Sequence, residues 1–533
     1  MEKLSHSYLR ERPEGRYDEI LIGSGIGSLV AAALLAKQGR RCLVLERHYT
    51  PGGFTHTFKR GALEWDVGLH YMGEVTRPRS VLSKLFAYIC DEPIEWEDMG
   101  EVYDRFRFGD EIYDFRRGRE GFREGLFERF PAAEDQRAID RYLDAVNTTA
   151  RAARGFFGEK ALPRTLSTLA GTMMRRPFLK GARQSTYELL SSLTENQKLI
   201  AVLAGQYGDY GLPPKKSSFA MHAMVARHYL NGGAYPVGGS ARLFETIAPT
   251  ILKAGGAIFH RAEVEQVLTQ RGRAIGVRMS DGRELLGERV ISGAGIATTL
   301  RALLSEEDQV QSGLQGVTKK IPNSAAHICL YLGLEGSPEA LSLPRANWWA
   351  YPDCYDHDKL FDDHLADPEA PLPVLYASFP SAKDPSWSAR VPDQSTVELI
   401  SLADPRRFTP WAGERWRKRG AEYNALKDSI SERLLEGLYQ LEPQLRGKVS
   451  FQELSTPLST QHFCNYEDGE IYGLDHGPGR FEVRALRPRT GLKNFYLTGQ
   501  DIATAGVGGA MMGGLLCAAS ILRKDLLPEI IAS

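Results

Sequence analysis

Cysteine is scarce and scattered: Cys42, Cys90, Cys329, Cys354, Cys464 and Cys517 are the six in 533 residues, with no Cys-x-x-Cys spacing. That usage excludes a disulfide framework and a thiolate zinc site, and it suits a reducing compartment. An excess of one charge is also lacking. Sixty-six Lys and Arg face sixty-seven Asp and Glu, so no global field exists to grip nucleic acid, and any attraction for anions is local. No metal-ligand spacing occurs, and no nucleophile–base arrangement is readable. The first nineteen residues, "MEKLSHSYLRERPEGRYDE", hold no apolar run and mix acids with bases. This matches neither a secretory signal nor a transit peptide, and the expected location is cytoplasmic. Low-complexity linkers and internal repeats are missing too.

What is present near the C-terminus is one long uncharged run, 21 residues from Ile502 to Leu522, with Gly509 and Gly513 at the spacing by which membrane helices pair. Only eight of the 21 are large and apolar. The Gly, Ala, Ser, Thr and Cys that fill the rest contribute little to insertion.

Near the N-terminus, a short apolar strand (Ile20, Leu21, Ile22) turns at Gly23-Ser24-Gly25-Ile26-Gly27 and becomes helical; a second strand, Cys42 to Leu45, ends in Glu46. This is a dinucleotide fingerprint: the glycines allow a tight turn and close backbone approach, the helix N-terminus faces a pyrophosphate, and the acid hydrogen-bonds a ribose. Ser28 stands where the strict pattern has its third glycine, a change expected to loosen helix-to-strand packing. Arg47 reads equally as a cofactor contact or a surface charge. A Gly52-Gly53 doublet and a Trp65-Asp66-Val67-Gly68 turn follow, a second backbone loop that suits extended FAD better than NAD. Further on, Leu243, Ile247 and Ile251 share a helix face, and strands join at Arg271-Gly272-Arg273 and Asp281-Gly282. Gly293-Ala294-Gly295 lacks a following strand and ribose acid, so one dinucleotide site is expected and no separate NAD(P)H domain.

With these pieces, the stretches "GGFTHTFKRGALEWDVGLHYMGE", "GQYGDYGLPPKKSSFAMHAMVARHYLNGGAYPVGGS", "SFPSAKDPSW", "STPLSTQHF" and "GEIYGLDHGPGRF" give the chain, over nearly its whole length, a resemblance to the FAD-dependent polyene oxidoreductases. That group comprises retinol saturase, carotenoid isomerase and phytoene desaturase, and the retinol-saturase branch is the most similar. The resemblance implies that Gly52, Gly53, Phe54, Thr55 and His56 lie against the pyrophosphate and flavin. It also implies that Val264 meets the adenine end through its backbone and that Asp501 of "LTGQD" contacts the ribityl chain. Flavin families of this kind close with a strand, an acid, a Gly-rich turn and a helix aimed at the isoalloxazine. "NFYLTGQD" and "TAGVGGAMMGG" fit that order, which adds Gly499, Val507 and Ala510 to the cofactor set and reads the uncharged run as a buried flavin helix.

The expected architecture is α/β: a discontinuous Rossmann-type FAD-binding domain (15–75, 230–300 and 485–533) and a substrate-binding α+β domain (76–229 and 301–484). The expected activity is on carbon–carbon double bonds of an apolar polyene, isoprenoid or lipid, with saturation preferred over cis–trans isomerisation or desaturation. A flavoprotein amine oxidase and a non-catalytic lipid-binding flavoprotein are the readings from other classes. Saturation needs a proton donor beside the hydride. The candidates are His70 and Tyr71 in one turn, and His228 and Tyr235 bracketing "YLNGGA", with His56 and Asp209 also eligible; His462 and His476 read as loop histidines. A single dinucleotide site implies a separate electron donor or reductase. Residues 160–183 place Leu162, Leu166, Leu169 and Met173 at helical spacing among Lys160, Arg164, Arg175, Arg176, Lys180 and Arg183, with no acid. Such a stretch is expected to lie at a membrane surface, the alternative being a buried helix with a solvated basic face.

Overall fold

The computed structural model describes residues 3–532, Arg164 without its side chain. Parallel strands form the centre of an eight-stranded sheet in the order His6–Ser7, Ala257–His260, Cys42–Leu45, Tyr17–Ile22 and Glu284–Ser292, and Phe495–Leu497 pairs with the last of these. Glu284–Ser292 also continues into an antiparallel meander with Ala274–Met279 and Val264–Thr269. The register places Ile20 beside Leu43 and Ile291 between Leu21 and Tyr496. The inner segments Ile20–Ile22, Cys42–Leu45 and Val290–Ile291 are apolar and buried, as in a sheet covered on both faces.

A second sheet of seven strands runs Val449–Ser455, Ala326–Glu335, Gln394–Ala403, Leu375–Ser378, Asn347–Tyr351, Val102–Phe108 and Glu111–Arg116. Helices Ala133–Ala161, Arg164–Ala182 and Phe219–Tyr229 stand with it around a large aromatic core. Two contacts from the hairpin Thr57–Arg60 and Leu63–Asp66 join the halves: Trp65 Nε1 donates to the Leu332 carbonyl at 2.9 Å, and the Asp66 amide donates to Glu398 at 2.9 Å.

The dinucleotide-binding half extends past the limits drawn from sequence. Leu85, Phe86 and Ile89 of helix Val81–Ile89 pack into one core with Leu29, Leu243 and Ile247. Leu300, Leu303, Leu314, Val317 and Ile321 pack with Ile20, Leu43 and Val290. The first strand, His6–Ser7, lies ahead of residue 15 and has only two residues, too few to leave a periodic signal.

The uncharged run forms helix Gly506–Leu522, packed inside the protein. Among the described residues no helix is long and apolar enough to cross a membrane. Its glycines let it cross helix Ile26–Lys37 at backbone distance. A Cβ on Gly513 would lie 2.2 Å from the Gly499 carbonyl oxygen, one on Gly514 2.4 Å from that of Gly27, and one on Gly27 2.6 Å from Gly499 Cα. Ser28, in place of the third glycine, is accommodated by Gly293, where a Cβ would sit 2.0 Å from Ser28 Oγ. The packing is thus tight with Ser28 present, because the missing side chain has moved to the opposite wall.

Overpacking a rigid contact costs about 1–3 kcal/mol. Gly27→Ala and Gly513→Ala are each expected to lower the thermal midpoint of the ligand-free protein, measured by calorimetry. Gly39→Ala, whose added Cβ meets nothing within 4 Å, serves as the comparison for a glycine held only by its backbone angle.

Candidate active site

One cavity of about 1350 Å³ runs from the dinucleotide turn to the aromatic core. Single small-molecule sites are commonly about 300–1,000 Å³, so there is room for an extended cofactor and a second ligand end to end. At one end the wall is backbone: Gly23, Gly25, Ile26, Gly27, Gly53, Gly293, Gly499 and Gly509. Gly25 caps helix Ile26–Lys37 and Ala505 caps helix Gly506–Leu522, neither with a side-chain bond to the first amides. Two helix N-termini therefore present free N–H groups and positive dipole ends to the same cavity. A Cβ on Gly53 would come 2.8 Å from Gly25 Cα, which is how the second loop closes on the first.

Glu46 organises that end. Its Oε2 accepts from the Ser24 amide (2.8 Å) and Ser24 Oγ (2.7 Å), its Oε1 accepts from the His48 amide (2.7 Å), and Ser24 Oγ accepts from the Gly52 amide (2.9 Å). The acid thus ties both glycine loops together while still lining the cavity.

The other end is a chamber. Tyr71 stacks on Tyr229 with ring centroids 4.0 Å apart, and Trp349 meets the edge of Tyr376 at 4.5 Å. Met221, Met224, Val225, Ile400 and Leu402 complete its apolar walls. The wall reaches solvent at Leu166 and Ile531, about half exposed each.

Behind the chamber lies a buried polar network. Tyr71 Oη (2.9 Å), Gln206 Nε2 (2.9 Å) and Asn347 Nδ2 (3.0 Å) all donate to Asp104. Lys383 Nζ donates to Asn347 Oδ1, to Ser378 Oγ at 2.8 Å and to the His70 carbonyl at 3.0 Å. His70 Nδ1 lies 2.7 Å from Glu398 Oε2. Burial pushes Glu398 up to about 8, against the pull of the Lys383 charge, and His70 down to about 4. Burial also brings Lys383 down to about 7, against the pull of Glu398 and Asp104.

Of the candidate proton donors, His70, Tyr71 and His228 line the cavity and Tyr235 does not. Tyr235 Oη donates instead to Asp66, whose other oxygen accepts from the Ser240 amide. His228 Nε2 accepts from the Gly73 amide at 2.9 Å, which fixes the ring proton on Nδ1. Its ring packs on the first turn of helix Gly506–Leu522, where a Cβ on Gly508 would lie 3.6 Å from His228 Cε1.

Of the cofactor candidates, Arg47, Phe54, Thr55, His56, Val264, Val507 and Ala510 join Glu46 and the glycines in the wall. Ser24 and Gly52 stand behind it in the Glu46 network. Asp501, which the resemblance places on the ribityl chain, stands behind the wall. Its carboxylate accepts from the amides of Ile296 (2.7 Å) and Leu474 (2.8 Å), and the wall at this point is Gly499 and Gln500. Two charge-assisted bonds to backbone hold it in place. His476 Nε2 accepts from the Ala505 amide, which positions the turn into helix Gly506–Leu522.

Sequence reasoning missed Trp349, Tyr376, Tyr466, Tyr472 and Asp104. Tyr472 lies within "GEIYGLDHGPGRF" without standing out there. Asp104 had a readable signal, since a period of two sets it on the face of the buried Phe106 and Phe108.

The glycine cradle, the paired helix N-termini and the acid at the second strand define a flavin-binding fold. The chain belongs to the flavin-containing amine oxidoreductase family, whose model matches residues 29–522; it is an oxidoreductase and its cofactor is FAD. It is 33% identical to an all-trans-retinol 13,14-reductase of Danio rerio, over 98% of this chain and 89% of that protein. A chloroplastic prolycopene isomerase of Arabidopsis thaliana is 25% identical over 96% and 83%. A solved oxidoreductase from Methanosarcina mazei shares the fold, with TM-score 0.63 and 16% identity over 95% of this chain and all of that one.

Gly25 separates folding from cofactor binding. A Cβ there meets nothing within 4 Å, and its φ of −58° suits any residue. Gly25→Ala should keep the thermal midpoint of the apoprotein yet lose FAD at least tenfold in affinity, read by flavin absorbance and equilibrium dialysis.

Proposed function

We propose that the protein saturates a carbon–carbon double bond of an apolar polyene, isoprenoid or lipid. The observation that carries this reading is the continuity of the cavity, which leads from the glycine cradle into an aromatic and aliphatic chamber and out to an apolar edge. Such a shape accepts a long, rod-like apolar molecule with one bond presented near the cofactor. The relatives named as 13,14-reductases of all-trans-retinol support saturation. The more distant isomerase supports redox-neutral isomerisation as the second reading.

When bound, reduced FAD supplies the hydride. The residues of the chain do the rest. Gly25, Gly27, Gly53 and Glu46 would hold the dinucleotide, while the amides at the start of helix Gly506–Leu522 would offer partial positive charge to an anionic ring. Tyr71, Tyr229, Trp349 and Tyr376 confine the substrate and exclude water. We infer a separate electron donor, because the sequence carries one dinucleotide fingerprint. Anaerobic mixing of pre-reduced enzyme with all-trans-retinol and other polyenes tests the reading by product mass. A gain of two hydrogens with one flavin reoxidised per product is expected, and NAD(P)H alone should reduce the flavin poorly. Many isomerised molecules per flavin, with the flavin still reduced, would overturn saturation in favour of isomerisation.

We also propose that the substrate enters from a bilayer at the cytoplasmic side. On helix Arg164–Ala182, Leu166, Leu169 (83% exposed) and Met173 (76%) share a solvent-facing side. Leu166 is part of the cavity wall as well. The basic residues divide. Arg176 and Lys180 are exposed, whereas Arg175 turns inward to donate to the Phe481 carbonyl and Lys160 to that of Ile502. Contact would therefore rest on the apolar side chains, each worth up to about 1.5–3 kcal/mol when fully buried, more than on charge. The triple change Leu166→Ser, Leu169→Ser and Met173→Ser should abolish flotation with anionic liposomes. Arg176→Glu with Lys180→Glu should only weaken it, chiefly at low salt. Equal flotation of all three proteins would remove the helix as the anchor.

A further inference from the structure

Addition of two hydrogens across a double bond needs a proton for one carbon, and the cavity offers few groups able to give it. His70 and His228 line the chamber but are committed, His70 to Glu398 and His228 to the Gly73 amide. Burial holds both well below the ordinary histidine range, at about 4, so each is a poor acid source near neutrality. Tyr71 spends its hydroxyl proton on Asp104. Asp209 remains.

We propose that Asp209, at the end of the short 3-10 helix Gly205–Asp209, is the proton donor to the substrate, presented to the cavity as a neutral carboxylic acid and positioned by Tyr71 and Asp104. The proposal rests on the saturation reading above. Asp209 lines the cavity, and among the described residues its carboxyl has one hydrogen-bond partner, Tyr71 Oη at 3.4 Å. Asp104 is fully buried and has three donors, Tyr71, Gln206 and Asn347. Lys383 fixes the Asn347 amide so that its NH2 group faces Asp104.

Two carboxyl groups thus share one phenol. The one with three donors is the better held as an anion even though burial raises it too, and the one with a single long bond keeps its proton more readily, because a second charge beside the first would be unpaired in an apolar chamber. Burial and then Asp104 hold the Asp209 carboxyl well above the carboxylate range, opposed only by the Tyr71 bond. The titratable groups that face it are Asp104 and the hydroxyls of Tyr71, Tyr210, Tyr229, Tyr351, Tyr376 and Tyr472.

The Asp209 O–H bond breaks and a C–H bond forms at one alkene carbon. The neighbouring carbon receives the hydride, with its electron pair, that bound reduced flavin supplies. The substrate gains two hydrogens, the cofactor is oxidised, and the Asp209 carboxylate regains a proton from water when product leaves. General acid catalysis of this kind is worth roughly 10²–10⁴-fold.

Asp209→Asn and Asp209→Glu test the assignment in the FAD-loaded enzyme. Asp209→Asn should keep its flavin content while single-turnover reduction of a polyene slows at least 100-fold, and Asp209→Glu should recover part of the rate. The wild-type rate should be full while the acid is protonated and fall as pH rises past its raised pKa; the residual rate of Asp209→Asn should not follow that fall. Infrared spectroscopy gives a readout independent of turnover: a protonated-carboxyl carbonyl band at neutral pH, shifted in D2O and absent from Asp209→Asn. A wild-type rate in Asp209→Asn, or no such band, overturns the assignment and leaves the saturation reading standing. Wild-type enzyme that reduces no polyene overturns that reading and Asp209 as its donor, whereas the band then decides alone whether Asp209 is a neutral acid.

Discussion

The structure depends on one close approach, between backbones that begin and end the chain. Helix Ile26–Lys37 and helix Gly506–Leu522 meet through Gly27, Gly499, Gly513 and Gly514, where no side chain fits. Two consequences share this cause. The amide ends of both helices converge on one cavity, which a wider crossing would splay apart, and the sheet edge at Glu284–Ser292 receives Phe495–Leu497 as its neighbour. Glycine is expensive in a helix, at about 0.5–1 kcal/mol relative to alanine, yet here several occupy helix Gly506–Leu522. The stability lost in the helix is what the proximity of its N-terminus to the cofactor cradle requires.

How much of this could be read from the sequence followed sequence distance. The strand, turn, helix and acid from Ile20 to Glu46 form a local pattern with a fixed offset, and the structure builds that unit. The uncharged run was legible as a buried helix only through its order after "NFYLTGQD", since its composition alone left membrane and interior both open. The domain limits were less legible, because helix Val81–Ile89 and residues 299–321 have patterns that fit any core. The aromatic chamber was illegible for a stronger reason. Trp349, Tyr376 and Tyr71 come from three segments: the first two are register partners on neighbouring strands, and Tyr71 reaches them from a separate turn by bonding Asp104 of Val102–Phe108. No local window records that register. Asp501 was legible as a motif position while its bonds to the Ile296 and Leu474 amides were not, since the motif specifies a position in the chain and not a direction for the carboxylate.

The interior electrostatics have a common logic. Asp66, Asp104, Glu398 and Lys383 are removed from water and His70 is half-buried at the cavity wall, and each is held by hydrogen bonds to its neighbours. Burial moves Glu398 and Asp66 up and His70 and Lys383 down, toward the uncharged forms. A region that is nearly neutral suits a chamber for an apolar molecule, because few fixed charges face the ligand and little water is needed to solvate them. It also makes the network fragile to a single truncation, since loss of Asn347 or Gln206 would leave the Asp104 charge with fewer donors.

The position of Phe495–Leu497 beside Glu284–Ser292 bears on how the protein is made. Every other strand of its sheet lies within the first 292 residues, so the ribosome must deliver some 200 further residues before that edge is filled. Throughout that interval the nascent chain displays an unpaired apolar edge and half of a glycine cradle, a form open to wrong pairing. FAD can be gripped from both sides only after the last helix emerges. Flavin incorporation therefore reports completed synthesis, and a chain that stops short of residue 495 lacks the part that closes the site.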